Sequence, residues 1–222
     1  VQIIHCPGWV PYEAAYQQQQ AAWASVLAGQ QAGVLLCLTH APVYTVGRAA
    51  QKELGVLHTQ LAATGIPVYA ADRGGQTTYH GPGQAVVYVI CPVRDLKAHL
   101  RWLSQAILVA LAQWGVAGAL RPEGTGVWAQ HEGEWKKLAS IGVGVRRWVS
   151  YHGLALNVAM DLAPFRAITP CGFAGQTLSD MATVLGHPAG GASLQVAEVR
   201  DALAQALVQT RNAPAPAGSG PL

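Results

Sequence analysis

Residues 73–93, RGGQTTYHGPGQAVVYVICPV, change character halfway along. Arg73 to Gln84 holds four glycines and a proline. That is too many for the interior of a regular element, so the reading is a shaped loop. Ala85 to Val93 is a continuous apolar run of strand length and predicts a buried strand. Asp95 then stands as N-cap of a helix in which Leu96, Leu100, Leu103, Ile107, Leu111 and Trp114 recur at steps of three and four. Gly115 falls where a left-handed C-cap is expected. A buried strand followed directly by an amphipathic helix points to helices packed on a sheet.

The flanking sequence extends this pattern. Towards the N-terminus, Val1 to His5 alternates weakly as a strand. Gly8 and Pro11 precede an alanine- and glutamine-rich helix to about Leu27, and Val34 to Thr39 is a second buried strand. A polar loop, a short helix near His58 to Ala63 and a strand at Pro67 to Ala71 follow. Towards the C-terminus, Gly126 to Ala129 and Leu138 to Val145 flank HEGEWKK as a hairpin, and Tyr151 to Met160 supplies another strand. Val196, Val199, Leu203 and Leu207 mark a last amphipathic helix, and Asn212 to Leu222 (NAPAPAGSGPL) reads as a flexible tail. The expectation is one mixed α/β domain over residues 1–211, a mixed β-sheet with packed helices.

Composition narrows the function classes. Half the 222 residues are hydrophobic (51%) and only 11% are charged, which excludes a disordered chain. The net charge of +3 comes without a basic run that could track a phosphate backbone, so nucleic acid is not an expected partner. No stretch reaches the ~18 apolar residues of a membrane span and no leader-like N-terminus is seen, so the expected location is cytoplasmic. Cys6, Cys37, Cys91 and Cys171 are widely spaced, without CxxC or a Cys/His cluster, which gives no zinc site or disulfide framework. Gly142-Val143-Gly144 lacks the third glycine and the helix of a dinucleotide fingerprint, and there is no GxxxxGK[ST] phosphate loop. No cofactor or metal is expected.

Four residues carry possible chemistry. Cys171 lies in Thr169-Pro170-Cys171-Gly172-Phe173, where proline stiffens one flank and glycine permits close backbone approach on the other. By itself this motif also fits an inert buried cysteine. Lys137 is one of only four lysines and enters an apolar strand, although a solvated turn lysine would occupy the same position. A thiol with a pKa of about 8.5 is mostly protonated at neutral pH, and an adjacent ammonium supplying roughly 2 kcal/mol would lower that pKa by about 1.5 units. His80, in the glycine-rich loop, and His152 could each bond substrate or relay a proton, or simply be satisfied by backbone partners.

Taken together, three segments resemble the lipoyl(octanoyl) transferase family. They are Arg73-Gly74-Gly75-Gln76-Thr77-Thr78-Tyr79-His80-Gly81-Pro82-Gly83-Gln84, then Lys137-Leu138-Ala139-Ser140-Ile141-Gly142 with the later His152-Gly153-Leu154-Ala155-Leu156-Asn157, and Pro170-Cys171-Gly172. The resemblance implies a biotin/lipoate protein ligase-like fold. It also implies an acyl-thioester on Cys171 with Lys137 as its partner. Substrate contacts are implied for Arg73, Gly74, Gly75, Gln76, Thr77, Thr78, Tyr79, His80, Ser140, Ile141, Gly142, Gly153, Leu154 and Ala155. The implied donor is octanoyl-acyl carrier protein; the implied acceptors are lipoyl domains of 2-oxoacid dehydrogenase complexes and the glycine cleavage H protein. An ATP-dependent lipoate or biotin ligase, a cysteine hydrolase using His80 or His152, and an acyl-carrier-binding module without chemistry are the competing readings.

Overall fold

The computed structural model describes residues 1–168, 177–187 and 194–211. The nucleophile motif around Cys171 and the tail from Asn212 lie outside them.

A seven-stranded mixed sheet forms the centre. Its strands are β1 (Gln2–Val10), β2 (Val34–His40), β6 (Gln84–Ile90), β7 (Gly118–Ala119), β8 (Gly126–His131), β9 (Glu134–Arg146) and β10 (Val149–Asn157), in the spatial order β1-β2-β6-β10-β9-β8-β7. β1 and β2 run parallel, joined by helix α1 (Tyr12–Leu27); the remaining neighbours are antiparallel. β2, β6 and β10 are buried along their whole length, which is why β2 and β6 read as near-continuous apolar runs without alternation.

Alternate residues nevertheless serve two different cores. Leu35, Cys37, Val87 and Val89 point to the side of helices α3 (Leu96–Ala112) and α5 (Val196–Thr210), where Leu103, Ile107, Leu111, Leu203 and Leu207 meet them. Val34, Leu36, Leu38, Val86 and Tyr88 point to the other side, against Ala15, Ala22, Trp23 and Val26 of α1. Trimming one of these fully buried leucines to alanine would cost about 2–5 kcal/mol. Asp95 caps α3, accepting from the amides of Lys97 (2.8 Å) and Ala98 (3.2 Å), as its position in the sequence predicts.

A small three-stranded sheet has the order β4-β3-β5, with β3 (Val43–Val46), β4 (Val68–Ala70) and β5 (Thr77–His80). Its own core of Tyr44, Val46, Leu57, Leu61, Tyr79, Phe165 and Ile168 includes helix α2 (Leu54–Leu61).

Several local expectations shift. The segment 73–84 is not loop throughout, because Thr77–His80 pairs residue for residue with Val43–Val46 as β5. β3 itself sits where the sequence suggested only a polar loop. β1 runs on to Val10 across Pro7 and Gly8 because it is an edge strand, and a register shift between His5 and Trp9 absorbs the two breakers. Helix α2 begins at Leu54, earlier than expected, and its last residues tighten into a 3₁₀ turn closed by Gly65. β10 starts at Val149 and ends at Asn157, so Ala159 and Met160 fall beyond it.

Candidate active site

A cleft of about 550 Å³, counting its open mouth, lies between the small sheet and the α1 face of the large one. Tyr12 of α1 and Thr45 of β3 border it, as do the 73–78 segment and His80; Val86 and Tyr88 come from β6, Ser140 to Gly142 from β9, and His152 to Ala155 from β10. Residues 73–78 and 80, 140–142 and 152–155 of the first two quoted segments, far apart in the chain, thus border one space; the third segment, around Cys171, lies outside the described residues. Arg73, Gly74, Gly75, Gln76, Thr77, Thr78, His80, Ser140, Ile141, Gly142, Gly153, Leu154 and Ala155 all line it.

Tyr79 is the exception. Strand alternation turns its ring to the opposite face of β5, where it packs with Tyr44 (5.4 Å between centroids) and edge-on to Phe165 (5.5 Å). Ile141 and Leu154 are cross-strand partners whose side chains belong to the α3/α5 core, so it is their main chain that borders the cleft.

Arg73 has a structural task at this border. Its guanidinium donates to the carbonyls of Gly74 and Gln76 (both 3.0 Å) and to the carbonyl and hydroxyl of Thr45 (both 2.8 Å). These bonds give the glycine-rich turn one shape and tie it to the small sheet. The amide of Gly74 donates to Val143 O (2.9 Å), which latches the turn onto β9. Gly142 permits that approach, since a Cβ there would stand 3.2 Å from both Arg73 Cδ and Gly74 O.

Lys137 is buried at 2% exposure on β9, three residues before Ser140, and is not among the residues that line the cleft. A bulge decides which way it points. Val127 pairs with Ala139 and Trp128 with Lys137, which leaves Leu138 as an extra residue. In an unbroken strand Lys137 would share the face of Ala139, in the α3/α5 core; the bulge moves it to the face of Trp128, Gly126 and Ser140, which is the cleft side. Its ammonium lies 5.7 Å from the centroid of the Trp128 ring. Its main chain pairs with Leu178, and its carbonyl accepts from the amide of Ser179 (3.1 Å).

The histidines form a second polar group around the cleft. His152 has φ 57°, a left-handed conformation unusual for a residue with a side chain. It breaks the alternation of β10 and brings the ring to the α1 side, among Tyr16, Tyr88 and Tyr151. There His152 Nε2 lies 3.2 Å from Asp72 Oδ1. That bond holds the Asp72 carboxyl below its usual range, while burial outweighs the aspartate and keeps the His152 pKa below 6.5. His40, bonded to Val10 O (2.9 Å) and the Tyr88 hydroxyl (2.6 Å), is pushed by burial down to about 4. Tyr12, Thr45, Val86 and Tyr88 escaped the sequence reading as cleft residues; for Tyr12 the only local signal is its place at the start of α1, directly after Pro11.

Residues 11–208 match the lipoyl protein ligase A/B catalytic domain. An octanoyltransferase of Geobacter metallireducens is 43% identical over 190 residues, covering 84% of each chain. That of Maricaulis maris is 38% identical over 220 residues, covering 95% of this chain and 93% of its own. Among solved structures, a bipartite lipoate protein ligase of Thermoplasma acidophilum superimposes with TM-score 0.68 at 16% identity, covering 95% of this chain and 83% of that one. A lipoate-protein ligase A bound with ATP gives TM-score 0.68 at 15% identity, covering 95% and 86%. The two structures establish a shared mixed α/β fold, and the sequence matches reach further: the chain belongs to the lipoyl protein ligase A/B catalytic domain family and, within it, to the octanoyltransferases.

Proposed function

We propose that the chain carries an octanoyl group from octanoyl-acyl carrier protein, through a thioester on Cys171, to the lysine of a lipoyl domain. The observation that carries this reading is the buried Lys137, turned by the Leu138 bulge onto the face of the sheet that carries Ser140 and Gly142 of the cleft. Leu178, on the C-terminal side of Cys171 in the chain, is the residue paired with Lys137.

In the first step the Cys171 thiolate attacks the donor thioester, its bond to the acyl carbon forming as the carrier's C–S bond breaks and the carrier leaves as a thiolate that takes up a proton. An ordinary thiol is only a few per cent ionised at neutral pH, and a desolvated ammonium beside it raises that fraction. In the second step the lysine amine of the acceptor attacks the acyl-enzyme, the C–N bond forms as the C–S bond breaks, and the proton lost from nitrogen restores the thiol. The role assigned to Lys137 in this step is to pass that proton. Exchange between thioesters is nearly isoenergetic and amide formation is downhill, so ATP is not needed, and the kinetics are ping-pong.

Chain length poses a separate demand. Each buried methylene contributes only ~0.8 kcal/mol, so an apolar cleft alone distinguishes neighbouring lengths poorly and a closed end must do the rest. The reading carries with it a cytoplasmic location and, as acceptors, the lipoyl domains of 2-oxoacid dehydrogenase complexes and the glycine cleavage H protein. Among the described residues no helix is long and apolar enough to cross a membrane.

Intact-mass measurement tests the proposal. Incubation with octanoyl-acyl carrier protein should add one octanoyl group on Cys171, lost on addition of a lipoyl domain and absent in Cys171→Ala. Ligation of free octanoate that needs ATP and survives Cys171→Ala would overturn it in favour of a ligase.

A further inference from the structure

A chain of hydrogen bonds fixes the tautomer of His80. The carbonyl of Ser179 can only accept, so the Asn157 atom 3.0 Å from it is the amide nitrogen, Nδ2. Asn157 Oδ1 then accepts from Gln84 Nε2 (3.0 Å), which also faces the carbonyl of Tyr79 (3.4 Å). That leaves Gln84 Oε1 facing His80 Nδ1 at 2.8 Å, so Nδ1 carries the hydrogen and donates it. Burial keeps the ring neutral, with a pKa well below 6.5. Nε2 is therefore an unprotonated acceptor, on a residue that is more than nine-tenths buried and borders the cleft.

The same chain of bonds reaches Lys137. Ser179, which anchors it, donates its own amide to Lys137 O (3.1 Å). Gln84 and Asn157 are register partners one pair beyond Leu156, which pairs with Ala139 of β9. His80 is thereby tied to the main chain of Lys137. A lone pair held there calls for a donor. Octanoyl offers only C–H groups and a carbonyl that accepts, whereas the nucleophile of the second step brings N–H.

Resting on the proposed acyl transfer, we propose that His80 Nε2 accepts a hydrogen bond from the attacking lysine amine and orients its lone pair towards the acyl carbon. His80 need not keep the proton. The amine nitrogen bonds to the acyl carbon, the C–S bond breaks, and the proton shed by nitrogen ends on the cysteine sulfur, so no co-reactant is required.

Two measurements test this. In wild-type protein labelled with ¹⁵N-histidine, the His80 ring at neutral pH should show a protonated Nδ1 and a bare Nε2, signals identified by their loss in His80→Gln. A protonated Nε2 would overturn the proposal without touching the acyl-transfer reading.

The second measurement follows acylation by octanoyl-acyl carrier protein and transfer to a lipoyl domain as separate single turnovers. In His80→Leu the transfer rate should fall roughly tenfold more than the acylation rate, about what one hydrogen bond to a reacting group is worth. His80→Gln, which keeps an acceptor atom, should recover part of that loss. Equal losses in both steps, or a loss confined to acylation as expected if Nε2 served the carrier arm or the thiol, would overturn the assignment. Absence of any octanoyl adduct in wild-type protein would instead refute the acyl-transfer reading and leave the tautomer result standing.

Discussion

Lys137 crosses the cleft face directly over Gly126: its Cε stands 2.8 Å from the point a Cβ on Gly126 would occupy. Gly126 has φ 137°, and the same Cβ would also run into the carbonyl of Ala139 across the ladder. A glycine is required there twice over, for its backbone and for the lysine that passes above it.

Gly126→Ala should therefore lower stability by about 1–3 kcal/mol and displace Lys137 as well. Urea unfolding measures the first effect and the rate of Cys171 alkylation at neutral pH the second. A variant that unfolds earlier yet alkylates like wild type would show that the lysine does not depend on this gap.

Lys137→Ala should return the Cys171 thiol towards its ordinary pKa of about 8.5, slowing alkylation at neutral pH by roughly tenfold or more and slowing acylation with it. The pH profile of the alkylation rate reads this directly. An unmoved profile would remove the electrostatic role of the lysine.

The described cysteines should stay silent in the same experiment. Burial raises the thiols of Cys6 and Cys91 and pushes that of Cys37 up to about 12. One equivalent of label per native chain is expected at neutral pH, dropping to none in Cys171→Ser. Prompt labelling of Cys37 would contradict its place in the α3/α5 core.

Gly142→Ala should weaken acyl binding without unfolding the protein. The added methyl presses on Arg73 Cδ and Gly74 O, and the 2.9 Å bond from Gly74 N to Val143 O loosens as the turn gives way. The expected readout is a KM for octanoyl-acyl carrier protein raised by about tenfold, with the unfolding midpoint changed little. Unchanged kinetics would mean that the turn does not shape the acyl site.

Acid should destabilise the fold through its buried neutral histidines. Burial lowers the pKa of His40 and His99 to about 4 and keeps those of His80 and His152 below 6.5. The unfolded chain takes up protons at about 6.5 that the native state refuses, so stability is full above that pH and declines as pH falls towards 4. His40 alone accounts for on the order of 3 kcal/mol over that window. Urea midpoints measured from pH 7 to 4 should drop, and His40→Gln should flatten part of the slope.

Much of the frame could be read from residue order. The unbroken apolar runs at Val34 to Thr39 and Ala85 to Val93, and the three-and-four spacing from Leu96 to Leu111, report burial through local period alone, and the structure places strands and a helix there. The short strands β3 and β5 were missed because four residues of a glycine-rich stretch carry too little pattern to distinguish strand from loop. Their extended form is imposed by pairing with each other.

The shaped turn at 73–84 was legible from its glycines, whereas the expectation that 140–142 and 153–155 share its cleft came from the family resemblance. The direction of Lys137 could be read from neither. A strict period of two assigns it to the core with Ala139, and only the extra residue opposite β8 turns it to the cleft. The same holds for His152, swung to the α1 side by a left-handed φ, and for the tautomer of His80, set by a carbonyl at residue 179. Local sequence determines which side chains can be buried and at what period. Where a strand slips by one residue, or a hydrogen bond spans half the chain, the outcome depends on partners that meet only when the whole sheet has assembled.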